Sequence, residues 1–333
     1  MPQTPSSSSL GNGGGALGWL RSNPLEALLI GMLTATVFYF FGVWGEFGPS
    51  RSASTLIWMW RICEPGGQYD YEHGRFIPVV IAFLLWRSRK EIAAAPRSSW
   101  TPALALVLFA IVLFVLSART MQVRLAAVGF PLLVWGIIAY GWGKDVARHF
   151  VFPCFLFAFA IPLPGLIQAT NGLQIVATKM AYGVSTLLGA DIVASGTSIN
   201  STTPGAWPSA LEIAEGCSGI RSLVALTFIS AVYGQLTQNT WWKKVALMAA
   251  TLPLAILANS LRVTTIVLIA EYYSPDFAAK TYHNFSGFIF FPLGLAGLLL
   301  VGFLINGGWK KQRKAIRVTT VGSGESEPTA TES

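Results

Sequence analysis

Three side chains in this chain are suited to chemistry: a thiol, a guanidinium and an imidazole. Cys217 lies in Glu215-Gly216-Cys217-Ser218-Gly219-Ile220-Arg221-Ser222-Leu223, Arg262 ends Asn259-Ser260-Leu261-Arg262, and His283 lies in Tyr282-His283-Asn284-Phe285-Ser286-Gly287. A thiol attacks a carbonyl carbon as the thiolate, and a neighbouring imidazole or cation lowers its pKa. His283 would take the proton. Arg262 would stabilise the thiolate or the tetrahedral oxyanion, since its guanidinium stays charged even when partly buried. Gly216 and Gly219 let backbone amides approach the reacting carbonyl, and a helix starting just beyond them adds partial positive charge. Arg221, one turn past Cys217, is a second stabilising cation or a carboxylate binder. Ser218, Asn259 and Glu215 are supporting or substrate-binding candidates.

Each of these residues also has a plainer reading. A single cysteine near a helix end is more often a small packing residue than a nucleophile, and histidine at a membrane interface commonly serves as an amphipathic anchor. Cys154, set among phenylalanines, reads as an inert buried thiol. Cys63 is a disulfide partner for Cys217 if that thiol is not a nucleophile. His73, in Tyr71-Glu72-His73-Gly74, is the runner-up base. His149 falls on the opposite side of the membrane in the topology below.

The elements that must position these groups follow from composition. Of 333 residues, 53% are hydrophobic and only 11% charged, with a mean hydropathy of +0.55. That is a multispanning membrane protein. A net charge of +8 would suggest nucleic acid in a soluble chain, but here the cations sit between apolar runs, as topology signals do, and no nucleic-acid partner is expected. Three widely spaced cysteines with no Cys-x-x-Cys and no Cys/His cluster argue against metal or dithiol chemistry, and no cofactor is expected.

Eight apolar runs, at 27–44, 76–86, 100–117, 125–142, 150–166, 220–236, 245–270 and 285–305, are read as spans of an all-α membrane protein. The run at 76–86 is short and must borrow from its flanks. Residues 87–90 and 144–149 read as charged connections. Pro162-Leu163-Pro164-Gly165 should break the fifth span. Between spans five and six, residues 167–216 form an outer-face region. Its first part, 173–188, reads as an amphipathic helix in the interface, with Gln174, Lys179 and Ser185 among its apolar residues, and 191–214 as one or two short hairpins. Residues 1–23 read as a disordered tail, 24–306 as the membrane domain and 307–333 as a basic, then polar, cytoplasmic tail.

With both termini cytoplasmic, 14 of the 23 Lys and Arg residues fall on the inner side, including Arg87, Arg89, Lys90, Lys243, Lys244 and the 310–314 cluster, in agreement with the positive-inside rule. The same topology brings Cys217, Arg262 and His283 to one depth on the outer face, although the spans were counted without regard to them. Arg262 interrupts an apolar run, where an ionised side chain needs a polar cavity or a partner.

These motifs resemble the exosortase and archaeosortase family of multispanning cysteine transpeptidases. Glu-Gly-Cys217-Ser-Gly-Ile-Arg221-Ser-Leu, Asn259-x-x-Arg262 and His283-x-x-x-Gly287 carry the resemblance. It is extended by Tyr71-Glu72-His73-Gly74 and by Ile161-Pro162-Leu163-Pro164 followed by Leu173-Gln174, and it covers roughly 71–305. The resemblance implies a catalytic set of Cys217, Arg262 and His283 at the outer face of the inner membrane. It implies as substrates secreted proteins with a carboxy-terminal sorting signal made of a motif, a transmembrane helix and a basic cluster. Cleavage would pass through a thioester, and the new carboxyl end would go to an acceptor nucleophile.

Two other classes compete. A transporter using Arg262 and His283 for an anion or proton path would spread polar residues through the depth of several spans, whereas the spans at 27–44, 100–117, 125–142 and 285–305 have almost none. An acyltransferase using Cys217 would need the same three groups.

Overall fold

The computed structural model describes residues 24–45, 53–64, 71–162, 166–207, 211–212 and 220–307. The chain divides into two units, Met1–Leu163 and Pro164–Ser333. The tails at 1–23 and 308–333 lie outside the described residues.

In the first unit, helix α1 (Pro24–Val37) continues into a π-helical turn (Phe38–Val43). Its aromatic run needs a partner surface. Phe41 is buried with ring centroids 4.7 Å from Phe114 and 5.5 Å from Phe130. Those rings belong to α4 (Ala103–Thr120) and α5 (Val123–Trp142), which form a close antiparallel pair. Gly129 and Gly136 make the close approach possible: an added Cβ would come within 3.2 Å of the Ala110 carbonyl at one and 2.9 Å of the Val107 side chain at the other. Small residues at such contacts let membrane helices pack backbone to backbone. Met121 closes α4 in the left-handed region at φ 56°, the one non-glycine residue with positive φ among those described.

Helix α2 (Thr55–Ile62) is short and capped by the Ser54 hydroxyl, which accepts from the Ile57 amide at 3.3 Å. A 3-10 turn (Glu72–Phe76) leads into α3 (Ile77–Ala94). Residues 87–90 are therefore the last turns of a helix and not the loop expected from their charge. Arg, Lys and Glu are good helix formers, and Arg89 folds back over Trp86, 4.4 Å from the ring centre. The helix stops at Ala95, which turns extended (ψ 135°) before Pro96. Likewise residues 144–149 are the opening turns of α6 (Lys144–Leu156) rather than a connection. Gly143 (φ 88°) makes the corner, and Asp145 complements the first turn. After α6 comes a 3-10 turn (Phe157–Ala160), and Ile161 is extended before a buried Pro162, so the expected break is present.

The second unit is built around α9 (Trp241–Tyr272), flanked by α7 (Leu166–Leu187), α8 (Ile220–Thr237) and α10 (His283–Ile305). Thirty-two residues make α9 about 48 Å long. Leu226, Leu247, Ala255 and Leu298 close one core among α8, α9 and α10. The helix expected at 173–188 forms, but begins earlier and faces differently. Gln174, Thr178 and Ser185 are buried, while Ile175, Val176, Tyr182, Val184 and Leu187 are exposed. The buried polar face packs on α9, where Ser260 donates to the Met180 sulfur at 3.4 Å, and the Thr178 hydroxyl bonds back to Gln174 O at 2.8 Å. Such local bonds let polar side chains pack between apolar helices.

Beyond α7 lies the expected hairpin, β1 (Ile192–Ser195) with β2 (Ser198–Ser201), extended antiparallel by β3 (Leu211–Glu212). Its two-residue turn puts Gly196 at φ 62°, the geometry in which glycine at the first turn position suits the strand twist. Ile192, Ile199 and Trp207 bury themselves against Val263, Val267 and Ala270 of α9. The sheet therefore covers the end of α9 that follows Arg262.

Five helical runs are long and apolar enough to cross a membrane among the described residues: α4, α5, α8, α9 and Phe277–Ile305. They coincide with five of the eight runs read as spans. The other three runs also form helices, but α1 is less extended, α3 carries Arg87, Arg89, Lys90 and Glu91, and α6 with its 3-10 turn covers only 144–160.

Candidate active site

Within the second unit, α9 and α10 meet at Arg262 and His283. Polar residues on α9 are fitted into an apolar helix by local bonding. Asn259, Ser260 and Thr264 are buried, the Thr264 hydroxyl donates to Ser260 O at 2.8 Å, and Thr265 donates to Arg262 O at 2.8 Å. Arg262 Nε donates to Ser286 Oγ at 2.7 Å, and Nη2 donates to the main-chain oxygen of His283 at 3.0 Å. Both acceptors are neutral oxygens that orient the guanidinium.

A π-helical turn (Phe277–Tyr282) runs directly into His283. Such turns insert a residue into the helical ladder and recur at functional sites. Ala278 of this turn is buried in the core formed with α9 and the hairpin. Tyr282 reaches back across the joint, donating to Thr265 Oγ1 at 3.0 Å. The Asn284 amide donates to Lys280 O at 2.8 Å, and its side chain is also a hydrogen-bond partner of His283. The exposed Lys280–Asp276 pair (2.9 Å) contributes little.

Arg262, His283 and Asn259 thus fall on the facing segments of two packed helices. Glu215, Cys217 and Ser218 lie outside the described residues. Arg221 is the second residue of α8 and is exposed. Three residues of this joint escaped the sequence reading: Ser286, Thr265 and Tyr282. The spacing held a signal for the first, since Ser286 is three residues beyond His283 and so on the same helical face.

His73 belongs to the first unit, where it serves as a joint. Its Nε2 is 3.0 Å from Phe159 O, its ring lies 5.4 Å from that of Tyr71, and the neighbouring Gly74 leaves no room for a Cβ beside the Cys63 sulfur. Burial pushes the His73 pKa below its ordinary value, and the bond to Phe159 opposes this in part. Cys63 is a free, buried thiol, its pKa pushed up to about 11 by burial against the opposing field of Arg75. It stays protonated and unreactive at neutral pH. Cys154 is half-buried in α6 beside an apolar pocket lined by Leu132, Trp135 and Phe155. His149 packs 3.7 Å from Glu91 at the junction of α3 and α6. Among the described residues no three His, Cys, Asp or Glu side chains gather as a metal site would require.

No curated protein and no solved structure matches the chain. The family model for transmembrane exosortases, however, matches residues 60–301, a stretch that takes in the His73 joint, the Cys217 motif and the Arg262–His283 contact. Most of the chain is covered and the apolar helices are those of a multi-pass membrane protein: the chain belongs to the transmembrane exosortase family.

Proposed function

We propose that this exosortase is a membrane cysteine transpeptidase in which Cys217 is the nucleophile, His283 the general base and then acid, and Arg262 the charge stabiliser. The observation that carries this is the direct bond from Arg262 Nη2 to the main chain of His283, which ties an always-charged group to the residue bearing the base. Membership of a family of transpeptidase-like membrane proteins supports the same reading.

In this reading His283 takes the thiol proton and the Cys217 sulfur adds to the scissile carbonyl. The oxyanion is met by Arg262 and by amides around Gly216 and Gly219. Collapse breaks the C–N bond, and His283 returns the proton to the leaving amine. The acyl group is left as a thioester. An amine or other nucleophile, deprotonated by His283, then attacks the thioester and expels the Cys217 thiolate. The substrate is a secreted protein with a carboxy-terminal motif, a transmembrane helix and a basic tail. Its helix lies among α8, α9 and α10, and its scissile bond sits at the outer face of the inner membrane. The enzyme crosses the membrane eight times with both termini cytoplasmic, and residues 167–216 roof the bond. Arg221, Ser218, Asn259 and Glu215 line the substrate path, and His73 supports it.

The test is processing of a co-expressed secreted protein bearing such a signal, with wild type and Cys217→Ala compared in the same membranes. Size reduction with wild type only is expected, with His283→Ala and Arg262→Ala slower by roughly 100-fold or more. Equal processing with Cys217→Ala would refute the cysteine mechanism.

A further inference from the structure

We infer that Ser286 is a positioning residue for Arg262, an assignment that rests on the catalytic reading above but stands on its own geometry. Ser286 is fully buried on α10, one turn beyond His283. Its hydroxyl does two things at once: Oγ accepts Arg262 Nε–H at 2.7 Å, and its own proton goes to His283 O at 2.7 Å. The same carbonyl accepts Arg262 Nη2–H at 3.0 Å. Three groups therefore close a ring of hydrogen bonds.

A serine in a helix commonly bonds back to a carbonyl three or four residues earlier, and that alone would be unremarkable packing. What differs here is the second bond. Nε and Nη2 form the side-on fork of a guanidinium, and two acceptors on one fork fix the plane of the group and not just its position. Both acceptors lie in the single helical turn that carries His283. Any rotation of that turn therefore moves the imidazole and both of these anchors of the guanidinium together. On the far side, the Tyr282 hydroxyl holds Thr265, and Thr265 holds Arg262 O, which fixes the backbone from which Arg262 extends. Replacing the Ser286 hydroxyl by hydrogen would remove one of the two acceptors on this fork and let the plane of the guanidinium tilt. Such misorientation costs rate rather than binding, on the order of 10- to 100-fold.

The experiment uses the full-length protein in lipid nanodiscs, with Ser286→Ala, Ser286→Thr, Arg262→Lys and the double variant Arg262→Lys/Ser286→Ala. The first readout is the Nε–H resonance of 15N-arginine, assigned to Arg262 by its loss in Arg262→Lys. It should be protected from exchange in wild type and Ser286→Thr and exchange freely in Ser286→Ala. The second is cleavage of a co-reconstituted protein carrying a motif, helix and basic tail. Ser286→Ala should lower kcat roughly 10- to 100-fold with KM unchanged, Ser286→Thr should recover most of it, and Ser286→Ala should add less than about twofold in the Arg262→Lys background, where there is no Nε to hold. A protected Nε–H in Ser286→Ala, or a full rate loss in the Arg262→Lys background, would overturn the assignment. Equal cleavage by wild type and Cys217→Ala would instead refute the catalytic reading, while the Nε–H comparison still decides whether Ser286 holds the guanidinium.

Discussion

Replacing Gly74 by alanine isolates what the Glu72-His73-Gly74 turn contributes. The added Cβ would overlap the Cys63 sulfur, with the Cys63 Cβ at 3.5 Å and the Ala160 Cβ at 3.8 Å. Cys63 is itself buried, so its sulfur has little room to swing aside. Forcing one methyl into a packed site typically costs about 1–3 kcal/mol, a fall of about 5- to 150-fold in the folded-to-unfolded ratio. The contact predicts its own rescue. Cys63→Ala removes the sulfur and leaves only ordinary van der Waals contacts around the new methyl, so Gly74→Ala should cost under about 0.5 kcal/mol in that background, a coupling of about 1–2 kcal/mol. Gly31→Ala is the control: nothing lies within 4 Å of a Cβ there, and mid-helix glycine to alanine should be neutral or mildly stabilising. The assay is reversible unfolding in mixed detergent micelles, followed by circular dichroism for wild type, both single variants and the double. Additive losses in the double variant would refute the packing argument.

Two further outcomes follow from the same unit. His73 has its pKa lowered in the fold, so below its ordinary value near 6.5 the unfolded chain binds the proton more readily; its contribution to stability is complete above that pH and is lost as pH falls through the folded value. His73→Gln, which keeps a donor for Phe159 O, should remove that slope between about pH 7 and 5 while leaving stability near pH 7 within about 1 kcal/mol. An unchanged slope would assign it to other groups. Met121, held at φ 56° on an exposed turn, should gain about 1 kcal/mol on replacement by glycine, because only glycine adopts that region without Cβ strain; a loss on unfolding analysis would contradict this.

Much of the architecture was legible in the order of residues. Five long apolar runs announced five helices. Gly196 between short alternating stretches announced the hairpin, and Pro162 with its neighbours announced the end of α6. Charge misled at two places, 87–90 and 144–149, because Lys, Arg and Glu mark a membrane edge and also make good helix, and hydropathy reports only the first property. At α7 the period was right and the orientation was not readable. A helix whose polar side meets another helix has the same pattern as one whose polar side meets water, and only the partner surface on α9, Ser260 and its neighbours, tells them apart. The meeting of Arg262 with His283 could be anticipated from depth. For Ser286, which links them, the spacing put it on the face of His283 but could not show its role, because a serine in an apolar helix is ordinary until something donates to it.

The length of α9 acts as a ruler. Its first four residues, Trp241-Trp242-Lys243-Lys244, are the aromatic and basic types that settle at a lipid headgroup boundary. Arg262 is 21 residues further along, about 32 Å at the helical rise, and a bilayer's hydrocarbon is about 30 Å thick. If that end is anchored at one boundary, the helix is long enough to bring the guanidinium near the opposite one, with ten residues beyond it on which the hairpin packs. Adding or removing one residue between Lys244 and Arg262 would move the charge by only about 1.5 Å in depth but turn it by about 100°, away from His283. Depth is tolerant along this helix and azimuth is not, so the chain can drift in sequence between these points far more easily than it can change in length.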